Sequence, residues 1–228
     1  MSLADSARKD ETSPPTSSSR RSQGERRADA EARLLAAAKT LLARKGWVGM
    51  TLADVGAAAG YSRGLAAHHF GSKAGLLRAL TQHINKSFME AMYAAPPREA
   101  GLDAILGYIS VYLGRGDPRW TNTRTLLLLL AEASLEDSET GTLLAQYNRT
   151  MFDYLEKNIR AGIRKGEVRR GVSPEIGAEF IVGALRGMML QRLLESGPVD
   201  TRRMQKQLLA LIRRAFVANT KTTDTEKR

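Results

Sequence analysis

At 228 residues the chain has room for one domain, or for a small domain joined to a larger one, and can bury a core without covalent staples. It has no cysteine, which excludes disulfides, thiolate metal centres and a cysteine nucleophile. Its longest apolar run, Leu126 to Ala131, falls far short of the roughly 20 residues that span a bilayer. Thirty-five basic against 24 acidic residues leave a net charge of +11, a surplus that points to a polyanionic partner. More than half of that surplus sits between residues 25 and 86, where ten basic and four acidic side chains fall. The opening MSLADSARKDETSPP carries both signs of charge and no apolar stretch, so it does not read as a secretory signal, and a cytoplasmic location is expected.

Residues 1–24 have the Ser/Pro/Thr bias of a disordered basic tail. Arg20, Arg21, Arg26 and Arg27 read either as a solvated charge run or as an arm along nucleic acid. From Asp29 the apolar period becomes helical, with Leu34, Leu35, Ala38, Leu41 and Leu42 on one face and a stop expected at Gly46. Thr51 is placed to cap a second, short helix with Asp54 at its third position, and Gly60 ends it. Ser62 is expected to cap a third short helix that runs to about His69. Ser72 is expected to cap a long fourth one with Leu76, Leu77, Leu80, Ile84, Phe88 and Met92 on its inner side. Beyond Pro96-Pro97 the spacing predicts helices over 98–113, 120–134, 138–165, 174–195 and 200–218, then a polar tail over 219–228. No strand-like alternation intervenes, so the expected fold is all-α with about nine helices. The expected division is a helix-turn-helix head over 25–72 and a larger helical domain over 73–218.

Two short helices joined by a Gly-headed turn are the parts of a helix-turn-helix. The run from Thr51 to Gly64 (TLADVGAAAGYSRG), followed by His68-His69-Phe70-Gly71-Ser72-Lys73, resembles the DNA-binding domain of the tetracycline-repressor (TetR) family. The resemblance covers about residues 29–80. Beyond it the helix count, the helix lengths and a GEVRRGVSPE-like turn also look like the family. It implies a transcriptional regulator, most simply a repressor released from a palindromic operator by a small-molecule effector.

The physics of such a head stands beside the name. The major groove of B-DNA admits one helix, whose N-terminal residues meet base edges. Here those are Arg63, Gly64, Leu65 and Ala67. Arg63 can read guanine or hold a phosphate. Gly64 lacks a Cβ, so backbone can approach the groove floor. Leu65 serves either a thymine methyl or the core. Helix N-termini favour anions, and Thr51 and Ser72-Lys73 match positions that bind phosphate in the resembled family. His68 and His69 are too divergent on a helix to share a metal ion; by analogy one or both contact the DNA backbone, with a packed structural imidazole as the competing reading for either. Many members carry Ala-Leu-Tyr before the two histidines, whereas Leu65-Ala66-Ala67 stands here. The tyrosine that often touches DNA is missing, which leaves Arg63 as the main reader.

A head of this size needs a second copy one DNA turn away, so a homodimer is expected. One face of the eighth helix (Ile176, Phe180, Gly183, Ala184, Gly187, Met188, Gln191) and one of the ninth (Met204, Leu208, Leu211, Ile212, Ala215) can supply a four-helix interface; an intramolecular core is the alternative. By analogy the middle helices enclose an effector pocket, with Tyr108, Tyr112, Trp120, Arg124, Leu127, Leu128, Tyr147 and Met151 as candidate lining. No phosphate loop, dinucleotide glycine pattern, zinc-protease motif or nucleophile elbow appears, so neither an enzyme nor a cofactor nor a metal is expected. The rival class is an effector-independent architectural or partner-binding helix-turn-helix protein whose middle helices form a filled core.

Overall fold

The computed structural model of the chain describes residues 22–114, 120–135, 138, 140–195 and 200–217. Among them are nine α-helices and no strand: α1 Gln23–Gly49, α2 Leu52–Ala58, α3 Leu65–Phe70, α4 Lys73–Ala94, α5 Leu102–Gly114, α6 Thr121–Ala133, α7 Gly141–Arg164, α8 Pro174–Leu194 and α9 Thr201–Phe216. A single antiparallel bridge pairs Val168 with Val217.

The caps show why the helices begin where they do. Ser22 Oγ accepts from the Glu25 amide at 3.1 Å, and the Glu25 carboxylate accepts from the Ser22 amide at 2.7 Å. This reciprocal box starts α1 six residues before Asp29 and turns Gln23 and Gly24, expected in the tail, into its first turn. The rest of the expected tail, Arg20 and Arg21 included, lies outside the described residues, as does 219–228. Thr51 and Ser72 cap α2 and α4 as expected, accepting from Asp54 N at 3.1 Å and Gly75 N at 3.0 Å. Asp54 does not close the box. Its carboxylate turns to Lys45 Nζ at 3.2 Å, and that ammonium with the Thr51 hydroxyl holds the Asp54 carboxyl below its usual range. Gly46 breaks α1 as expected, with φ of 67°, but Trp47–Gly49 make one more turn before Met50.

Two cores organise the helices. The first gathers Leu34, Leu35, Ala38 and Leu42 of α1 with Met50, Val55 of α2, Ala66 of α3 and Leu76, Leu77 and Leu80 of α4, and it also takes in Leu129 of α6 and Leu144 of α7. The second joins Phe88 of α4 to α5, α7, α8 and α9 through residues such as Tyr108, Leu155, Ile181, Leu185 and Leu208. The first two turns of α4 therefore belong to the head, beyond the expected boundary at residue 72, and α4 runs from one core into the other.

Candidate nucleic-acid interface

The angle between α2 and α3 is set by close approach. A Cβ on Gly56 would stand 2.5 Å from the Ser62 carbonyl oxygen, so only glycine lets α2 lie against the turn. Tyr61 N donates to Gly56 O at 3.0 Å and closes the corner. Helix α3 starts at Leu65, two residues later than a cap at Ser62 requires. Ser62 contributes its carbonyl, which accepts from Leu65 N at 3.1 Å, while Arg63 and Gly64 form the lead-in turn. Two of the candidate reading residues, Arg63 and Gly64, thus stand at the mouth of the helix.

Arg63, Gly64, Ala67 and His68 are all exposed. No ion pair engages Arg63 among the described residues. A Cβ on Gly64 would meet nothing within 4 Å, so no packing inside the chain demands glycine there. Ala66 is fully buried, and Leu65 is half-buried against the head core, which favours the packing reading of that leucine. His69 fits the packed-imidazole reading. Its Nε2 lies 3.3 Å from the Glu31 carboxylate and its ring meets Phe70 edge-on at 4.7 Å, so it docks α3 on α1. Lys73 is likewise occupied: Nζ donates to Val48 O at 3.3 Å and sits 4.3 Å over the Trp47 ring, tying the start of α4 to the end of α1. Thr51 is exposed at the mouth of α2.

An interior cleft separates α4, α6 and α7 at the junction of the two cores. Its free volume is about 30 Å³, little more than one or two waters. Of the eight sequence candidates it takes Tyr112, Tyr147 and Met151. Tyr108 is buried and donates to Met151 Sδ at 3.3 Å, but it borders a wider, open groove of about 590 Å³ beside Pro96 and Pro97. Trp120, Arg124, Leu127 and Leu128 are not on the cleft walls. The phase of α6 aims Leu126 and Leu129 there, while Leu127 packs on the second core and Leu128 on the first. Trp120 instead leads α6 in left-handed backbone, with φ of 55°.

Sequence reasoning missed Thr81, Asn85, Asn148 and Arg186, which give the cleft its polar wall. The signal was present as interruptions of apolar stripes: Thr81 between Leu80 and Ile84, and Arg186 between Leu185 and Met189.

On α8 the exposed residues Ile176, Phe180, Gly183, Gly187, Leu190 and Leu194 recur at alternating steps of three and four, leaving a continuous uncovered stripe. Gly183 and Gly187 have open space where a Cβ would stand. Ala184 and Met188 are half-buried at its edge. Leu208 and Ile212, expected on the same surface, are 5% and 1% exposed because that face of α9 packs into the chain's own second core; Leu211, at the edge of that face, is 60% exposed.

Residues 34–80 match the model of bacterial regulatory proteins of the tetR family, and residues 101–217 match that of the BetI-type transcriptional repressor C-terminal region. The HTH-type transcriptional regulator BetI of Burkholderia cenocepacia is 26% identical over 174 residues, covering 69% of this chain and 78% of its own. Among solved structures, a chain from Saccharomonospora viridis in complex with choline has a TM-score of 0.70 at 19% identity, covering 84% of this chain and 100% of its own. AibR in complex with isovaleryl coenzyme A and operator DNA has a TM-score of 0.67 at 16% identity, covering 80% and 97%.

Proposed function

This chain belongs to the tetR family of bacterial regulatory proteins and carries a BetI-type repressor C-terminal region, and on that premise we propose that it is a homodimeric repressor released from a palindromic operator by a small molecule. The observation that carries the reading is the exposed lip of Arg63, Gly64, Ala67 and His68, which makes no ion pair or side-chain hydrogen bond among the described residues and stands on the buried Val55 and Ala66. The uncovered stripe on α8 supports self-association, which would set two such lips roughly 34–36 Å apart along one face of the duplex. No catalytic step is assigned to it. Among the described residues no helix is long and apolar enough to cross a membrane, in keeping with action on DNA in the cytoplasm.

Release needs a path from cleft to head. Leu129 and Leu144 supply one, since both line the cleft and both belong to the head core. A guest that widens the cleft displaces side chains against which α1 packs. It binds better to a state with the lips wrongly spaced, and linkage then weakens operator binding by the same factor. The AibR complex holds both an acyl-coenzyme ligand and operator DNA, a precedent for one fold serving both.

Anisotropy titration of the purified chain against operator fragments from upstream of its own gene tests the reading. A palindromic fragment is expected to bind at least about a thousandfold tighter than scrambled duplex, with affinity falling steeply as salt rises. Equal affinity for both would overturn it. The small free volume of the cleft favours the second reading, an effector-independent helix-turn-helix protein; a thermal-shift screen with small molecules that finds no stabilising compound would select it.

A further inference from the structure

We infer that the interior cleft takes a small carboxylate with an apolar tail, its anionic end held by Arg186 and Thr81. The inference rests on the reading of the cleft as an effector site and adds the chemistry of the guest.

Two buried polar side-chain atoms lack a hydrogen-bond partner among the described residues, and both belong to walls of this cleft: Thr81 Oγ1 and Arg186 Nε. Thr81 is only 2% exposed. Folded proteins leave few buried polar groups unpaired, and those that remain mark places where a partner is missing. Arg186 is held from the other side, where Nη2 donates to Asn148 Oδ1 at 2.6 Å. Its guanidinium cannot shed its charge. No Asp or Glu lines the cleft, and no carboxylate among the described residues lies in ion-pair reach of it.

A partly buried cation without a counter-ion disfavours a cationic guest and favours an anionic one, which gains both the Coulomb attraction and the idle Nε–H. Thr81 adds a hydroxyl that can donate to the same group. Beside Asn85 and Asn148 the wall carries Ile84, Phe88, Leu126, Leu129 and Leu144, an apolar side that suits a hydrocarbon tail. The present free volume admits little more than the carboxylate, so the tail must part Leu126 and Leu129, the displacement that release requires. The open groove beside Pro96 has no orphan polar atom on its walls among the described residues, so it makes no comparable demand.

The test uses the full-length protein and three matched probes: hexanoate, hexanamide and choline. Hexanoate is expected to raise Tm and weaken operator binding, with hexanamide and choline inert. Arg186→Met, which keeps the length and removes the charge, is expected to reduce hexanoate affinity about tenfold or more while operator affinity without ligand stays within a factor of about two. Thr81→Val, nearly isosteric, serves as the independent variant and is expected to reduce hexanoate affinity severalfold. If choline or hexanamide acts and hexanoate does not, the carboxylate inference falls and ligand-released repression stands. If Arg186→Met instead dissociates the dimer and leaves the hexanoate response intact, Arg186 pairs across the subunits and the inference falls. If none of the probes acts while sequence-specific binding persists, the inference falls as well.

Discussion

Arg63 and Gly64 stand side by side in the turn that opens α3, and substitution of either is expected to spare stability and weaken recognition. Arg63→Ala removes an exposed side chain and is expected to leave Tm within a degree or two. Operator affinity should fall by about 1–3 kcal/mol, roughly 5- to 150-fold, with sequence preference relaxed; equal binding by the variant and its parent in a mobility-shift titration would refute a reading role. Gly64→Ala adds a methyl group that meets nothing in the chain, at φ −81° and ψ −19°, which alanine adopts freely. Its fold should survive intact and its operator binding should weaken, because the only obstacle to that methyl lies outside the protein. Undiminished binding would mean that the backbone at Gly64 never nears the duplex. Gly56→Ala behaves differently. Its Cβ collides with backbone at 2.5 Å, so about 1–3 kcal/mol of stability should be lost by overpacking, visible as a lowered midpoint in urea.

At the scale of the helices, the junction of α1, α4 and α6 carries a titratable group. Lys39 Nζ of α1 lies 3.3 Å from His83 Nε2 of α4 and donates to Asn122 Oδ1 of α6 at 2.9 Å. Partial burial, then the Lys39 charge, pushes His83 below its ordinary value of 6.5. A lowered folded pKa means that the native state binds fewer protons than the unfolded chain. The contribution is therefore fully present above about pH 6.5 and is lost as pH falls through the folded value. Melting scans between pH 7.5 and 5 should show a steeper decline for the parent than for His83→Gln; parallel declines would dismiss the junction as a pH-sensitive contact. The caps at Thr51 and Ser72, the break at Gly46 and the order of the helices were legible in the sequence, since they depend on neighbours three or four residues away. His69 and Lys73 were not. Their partners Glu31, Trp47 and Val48 come from α1, 25 or more residues distant, and no local pattern announces such a pairing. The same limit explains α9: periodicity groups Leu208, Leu211 and Ile212 on one stripe, but it does not say which part of that stripe the chain covers itself.

For the whole molecule, the reading proposed above makes the uncovered stripe on α8 the contact that lets two heads act together. Phe180 is 55% exposed at its centre, and Phe180→Glu would place charge on both sides of a symmetric contact. The variant should elute as a monomer in light-scattering chromatography and lose most of its preference for palindromic duplex, with the monomer fold preserved. A dimer that persists would move the interface elsewhere.

Leu129 and Leu144 also set a limit on how the molecule can be dissected. Because these two side chains finish the packing of the N-terminal core, a fragment cut within α4 would leave α1 with a bare greasy flank and should aggregate or stay loosely folded. A genetic screen for loss of silencing would accordingly collect substitutions at both leucines, although neither touches a base pair.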